Sequence, residues 1–169
     1  PSEFIPVMMS EETLSRVMLD ADDGFDLGIY FTPMVFINGV EYLWYYGNEG
    51  SLYSVISRIA EDAQNTEMAI TAPPDIHEKY VEDWRRGKKH DNRGFGGGAW
   101  VGDGDIEFVV WGDYQSTQSV ELDREVQALL KENPNIRYAY RHFPLDKTCN
   151  RFVGDNITNY EGSCFIAKA

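Results

Sequence analysis

Phe31-Thr32-Pro33-Met34-Val35-Phe36-Ile37-Asn38-Gly39 is the stretch on which the reading of this chain turns. Met34 to Ile37 is a short apolar run rich in β formers. Asn38-Gly39 is a favoured two-residue hairpin turn, because both positions tolerate a positive φ. Val40-Glu41-Tyr42-Leu43-Trp44-Tyr45 then reads as the returning strand. Upstream, Ser10 caps a helix whose first turn carries Glu11 and Glu12, with Leu14, Val17, Met18 and Ala21 as its apolar stripe and an end near Gly28. Downstream, Leu52, Val55, Ile56, Ile59 and Ala60 recur at helical spacing between about Ser51 and Gln64, so that helix can cover one face of the hairpin.

A second unit lies near the other end. Ile106-Glu107-Phe108-Val109-Val110-Trp111 reads as a buried strand that turns through Gly112-Asp113-Tyr114-Gln115. A helix follows from about Ser116 to Glu132, with Val120, Leu122, Val126, Leu129 and Leu130 apolar and Asn133-Pro134-Asn135 at its end. Ile136 to His142 is the next strand, and the helix between is long enough for a parallel crossover. Residues 71–104 separate the two units. They open with Ala72-Pro73-Pro74, hold one helical turn around Tyr80 to Trp84, and pass through a basic run into Gly94-Phe95-Gly96-Gly97-Gly98. Composition makes 85–104 a linker.

Charge divides the chain in the same places. Residues 1–70 carry 2 basic and 12 acidic groups, 71–104 carry 6 and 6, and 105–169 carry 7 and 10. The total of -13 repels nucleic acid and anionic membrane surfaces at long range, so neither is an expected partner. The 169 residues, 43% apolar, suffice for one domain with a real core, at roughly 150 residues per domain. No stretch approaches the roughly 20 apolar residues of a bilayer span, and none resembles a signal peptide. The chain starts at Pro1 and stops at Ala169 in what reads as a helix start, which suggests a piece of something longer. Its two cysteines, Cys149 and Cys164, permit one disulfide or two thiols.

The order is therefore α-β-β-α, linker, β-α-β. A β-α-β unit followed by β-β-α is the thioredoxin fold, here with its halves reversed. Residues 31–39 closely resemble the Thr-Pro-x-x-Phe-x-Asn-Gly signature of DsbA-like thioredoxin-fold proteins, in which the proline is cis and faces the active-site dithiol. Val109 to Gln115 resembles the strand that leads that family into Cys-x-x-Cys, and Arg137 to Leu145 resembles its second strand. The resemblance covers roughly 10–62 and 105–169. It implies an α/β protein with a central mixed sheet flanked by helices: 1–70 the C-terminal half of such a domain, 71–104 a linker, 105–169 the N-terminal half. The halves belong to tandem domains, pair within the chain as a permuted domain, or exchange between chains as a swapped homodimer.

The implied activity is thiol-disulfide oxidoreduction on proteins, which needs a thiolate at a helix N-terminus and a second thiol three residues on. Those positions are Ser116 and Ser119, around Thr117 and Gln118, and hydroxyls cannot perform the exchange. Paired replacement of two cysteines and natural loss of a dithiol leave the same sequence. By the same resemblance Pro33 is the substrate-aligning cis proline. Thr32, Tyr114, Thr117 and Gln118 would bind an extended polypeptide or another protein domain, a function that survives loss of the thiols. The rival readings are accordingly a non-catalytic binding module, or assembly by segment exchange. Cys149 and Cys164, with 14 residues between them, resemble an extra cysteine pair of some DsbA-like proteins, implying a structural disulfide and an extracytoplasmic location. A membrane redox partner would lie outside this chain. Glu107 matches a buried acid of some relatives or is a plain strand-edge carboxylate.

No cofactor or metal is expected. Asp20 to Asp26 imitates a calcium loop, but its glycine comes one position early and Phe31 stands where a bidentate Glu belongs, so it reads as an acidic helix end. Gly94-x-Gly96-x-x-Ala99 fits a dinucleotide fingerprint but follows no strand. His77, His90 and His142 share no spacing that would gather them. Asn156-Ile157-Thr158 is a glycosylation sequon.

Overall fold

The computed structural model describes residues 4–43, 45–48, 50–64, 77–90, 99–157 and 159–169. After a short helix α1 (Phe4–Met8), α2 (Glu11–Leu27) starts where the Ser10 hydroxyl accepts the Thr13 N–H at 3.2 Å and stops at Gly28, whose φ of 90° few side chains would adopt. Asn38 and Gly39, at φ 51° and 76°, then make the hairpin turn between β1 (Met34–Ile37) and β2 (Val40–Tyr42). Helices α3 (Ser51–Gln64) and α4 (Glu78–Arg85) follow, then β3 (Ile106–Gly112), α5 (Thr117–Glu132), β4 (Ile136–His142) and α6 (Ser163–Ile166).

The strands form one open mixed sheet in the order β2-β1-β3-β4. β3 and β4 are parallel across α5, whereas β1 is antiparallel to both β2 and β3, with Met34 opposite Trp111 and Ile37 opposite Phe108. The β1–β3 pair joins the first and last segments within one chain. Strand alternation sorts the side chains onto two faces. Val35, Ile37, Phe108, Val110, Ile136 and Tyr138 pack against Leu52, Val55 and Ile56 of α3 and Leu122, Val126 and Leu129 of α5. Met34, Phe36, Val109, Trp111 and Ala139 meet Ile29, Phe143 and Leu27 on the other face, beside α2.

Three details depart from the pattern reading. Met18 is 45% exposed, and the buried side of α2 runs through Val17, Ala21 and Gly24, where Gly24 leaves room for the Trp111 and Phe143 rings. β2 ends at Tyr42, not Tyr45, and Trp44 lies outside the described residues. The stretch read as linker is pinned on both sides of 91–98, the latter with 65–76 outside the described residues. Val81 is buried, the Trp84 indole N–H donates to the Ile37 carbonyl at 3.1 Å, and the 88–90 backbone bonds Glu41 and Gly39 along the outer edge of β2. Val101 pairs with Tyr138 on the outer edge of β4. Each outer edge of the sheet is thereby bridged at one position, Val40 on β2 and Tyr138 on β4. Overall composition concealed this because single residues, Val81, Trp84 and His90 on one side and Val101 on the other, make the attachments. The glycines of the dinucleotide-like pattern fall within the undescribed stretch.

Candidate functional site

The candidate site forms at the end of the sheet where β3 and β4 finish and β1 begins. Met34 lies opposite Trp111, so one step along the antiparallel register sets Pro33 against Gly112. The Thr32–Pro33 peptide is cis, and the Tyr45 hydroxyl donates to the Pro33 carbonyl. Past Gly112 the chain turns through Asp113 to Gln115 into α5. Ser116, the N-cap, accepts the Ser119 N–H at 3.4 Å and donates to Gln118 Oε1 at 2.9 Å. The Ser119 hydroxyl accepts the Asp113 N–H at 3.2 Å. Ser116 and Ser119 are buried, while Thr117 and Gln118 are exposed. In this arrangement the two hydroxyls cap and brace the helix start. A thiolate at position 116 would meet the same N–H and the positive end of the helix dipole.

Aromatic rings line one side. Tyr114 stacks on Tyr140 with centroids 4.3 Å apart, and His142 lies 5.3 Å from Tyr140. Burial pushes the Tyr114 phenol up to about 12, with the Asp123 carboxylate adding to it, so the phenol stays protonated at neutral pH. Burial also makes His142 less basic than a free imidazole. Asp20 and Asp113 oppose that effect and Arg141 adds to it. Tyr30 and Phe31, 69% and 36% exposed, stand beside Thr32 as an apolar rim.

Behind the turn, Asp113 is a buried carboxylate with three donors: Gln115 N–H at 2.8 Å and the Ser163 hydroxyl at 3.0 Å on one oxygen, and Leu145 N–H at 2.7 Å on the other. Ser163 sits next to Cys164, and Cys149 and Cys164 form a disulfide. Asp146 organises the loop between them. One oxygen takes the Thr148 N–H and hydroxyl at 2.9 and 2.8 Å, and the other takes the Gly162 N–H at 2.9 Å. Burial pushes this carboxyl up, but those bonds and one from the Cys164 N–H outweigh it and hold the pKa below the usual carboxylate range.

Thus Thr32, Pro33, Tyr114, Ser116, Thr117, Gln118 and Ser119 gather at one end of the sheet, with the disulfide behind them. Glu107 does not reach them. It pairs with Arg137 near the start of β3, roughly 20 Å from Asp113 at about 3.3 Å per strand residue. The three histidines are dispersed: His77 precedes α4, His90 bonds Glu41 at 3.0 Å beside β2, and His142 ends β4. The roles of Asp113, Asp146 and Ser163 were not read from the sequence. A local signal existed for two of them, since an Asp two residues before the N–H it accepts is the Asx-turn pattern, seen in Asp113 to Gln115 and Asp146 to Thr148. No family model, curated protein or solved structure matches the chain.

Proposed function

We propose that the chain is a thioredoxin-like scaffold of DsbA type whose thiol-disulfide exchange centre is occupied by Ser116 and Ser119. It then holds an extended polypeptide at that centre without exchanging disulfides with it. The observation that supports the reading is one juxtaposition: the turn into α5, which follows the first strand of the parallel pair, starts at Gly112, opposite the cis Thr32–Pro33 peptide that opens the antiparallel β1. It is in keeping with the relation that the resemblance implies between dithiol and proline loop.

The exposed Tyr30 and Phe31 beside Thr32 favour an apolar peptide as the occupant. Such a peptide would pair with the Thr32 backbone, since β2 at Val40 and β4 at Tyr138 are already bridged. The disulfide suits an extracytoplasmic compartment.

Ser116→Cys combined with Ser119→Cys tests this. The double variant is expected to close a second disulfide by intact mass and to accelerate insulin reduction by dithiothreitol, while the parent does neither. A double variant with parental circular dichroism that catalyses nothing would remove the exchange-centre reading.

A further inference from the structure

We propose that the Cys149–Cys164 disulfide governs the order of the candidate site, through Ser163 and the Asp113 carboxylate. The inference goes beyond the proposed function and does not depend on what the site binds. Among the described residues, side-chain hydrogen bonds tie the turn that precedes α5 to Ser163 and Glu161 of the disulfide-closed segment and to Leu145 just ahead of it. The Ser163 hydroxyl lies 3.0 Å from both Asp113 Oδ1 and Gln115 Oε1, the Gln115 side-chain amide donates to the Glu161 carbonyl at 2.9 Å, and the Leu145 N–H donates to Asp113 Oδ2 at 2.7 Å. Asp113 and Gln115 in turn fix the chain into the cap, with the Ser116 N–H on the Asp113 carbonyl at 2.8 Å.

Ser163 is held there by its neighbour. α6 is only four residues long, and a helix of that length does not persist on its own. What anchors it is the bond from Cys164 to Cys149, packed on Val17 and Leu14 of α2, together with the Gly162 and Cys164 N–H groups on Asp146 and the Thr148 hydroxyl on Cys164 Sγ. Opening the disulfide restores conformational freedom to the segment from Cys149 to Cys164, and Ser163 is the residue through which that freedom reaches Asp113. A buried carboxylate that loses a donor is poorly solvated, so the turn must open to water or rearrange. The redox state of one pair thereby becomes a binding-relevant state at another place.

The step balances with a dithiol as reductant. Dithiothreitol gives two electrons and two protons to the sulfur-sulfur bond and becomes its cyclic disulfide, and Cys149 and Cys164 become thiols. Both cysteines are buried but border an open groove beside Leu14, Lys147 and Phe165, which gives the reductant an approach.

Amide hydrogen exchange on the intact chain, with and without dithiothreitol, tests the coupling. On reduction, exchange at Gln115, Ser116, Ser119 and Leu145 is expected to rise at least tenfold, while Phe36 and Val110 in the central sheet stay within twofold. Ser163→Ala with the disulfide intact is expected to reproduce most of that rise, after which reduction adds little. Unchanged exchange at the four amides would overturn the proposal. So would a uniform rise across the sheet, or a Ser163→Ala chain that exchanges like the parent.

Discussion

The two faces of the sheet are closed by different physics. Against α3 and α5 the contact is mainly apolar, with Leu52, Val55 and Ile56 meeting Val35, Ile37 and Val110 and one side-chain hydrogen bond from Tyr138 to Asp123 of α5. Against α2 the apolar patch is smaller, and a buried charge cluster supplements it. Arg141, 1% exposed, donates to Asp20 at 2.7 Å and Asp23 at 2.9 Å and lies 4.9 Å from the Trp111 ring, while Asp20 also accepts the His142 N–H at 3.0 Å. The first face tolerates any well-filling hydrocarbon, whereas the second demands matched partners and fixes where α2 sits along β4. Asp20 of that second face also holds the end of β4, through the His142 backbone N–H.

The contrast can be broken first at Arg141. Arg141→Ala strands two carboxylates against a vacated pocket and is expected to cost about 3–5 kcal/mol, discounted toward the lower figure because Asp23 is half exposed. Urea unfolding measures it, and Arg141→Met together with Asp20→Leu should recover much of the loss. Leu52→Ala on the apolar face is expected to cost about 3 kcal/mol with no salt dependence, unlike the Arg141 variant. Gly24→Ala comes next at about 2 kcal/mol, since a Cβ there would lie 2.8 Å from the Phe143 ring and 2.9 Å from Trp111.

The smallest effect is expected from acid. His142 is less basic folded than unfolded, so the unfolded chain binds more protons below about 6.5 and stability falls as pH drops from there. Asp146 works in the same direction lower down. Its folded pKa is depressed, so its contribution is fully present above about 4 and is lost as pH falls through the folded value. Thermal melts between pH 7 and 5 should decline in the parent and flatten in His142→Asn, with Leu52→Ala showing the parental slope.

Periodic elements were legible because burial and period coincide. Leu122, Val126 and Leu129 mark α5, and Asn38-Gly39 marks the turn, with the structure agreeing in each. The charged face was not legible. Asp20 and Asp23 read as part of an acidic helix end, because nothing local reports that Arg141, 121 residues from Asp20, points back at them. For the same reason Met18 entered the stripe and Gly24 did not, since periodicity counts apolar residues and overlooks a glycine that admits an indole. At the candidate site, the resemblance pointed to Pro33, Ser116 and Ser119 and was silent on Asp113, Asp146 and Ser163, which are tied to one another's segments by hydrogen bonds distant in sequence such as Ser163 to Asp113 and Gly162 to Asp146.

The most direct measurement of the central claim is the pH dependence of alkylation in a Ser116→Cys chain with the Cys149–Cys164 disulfide intact. An exchange centre at the start of α5 predicts a thiol that titrates below about 7.5, held as thiolate by the helix N-terminus and the Ser119 N–H. A thiol that titrates at or above the ordinary value of about 8.5 would contradict it, leaving Ser116 as a helix cap and nothing more.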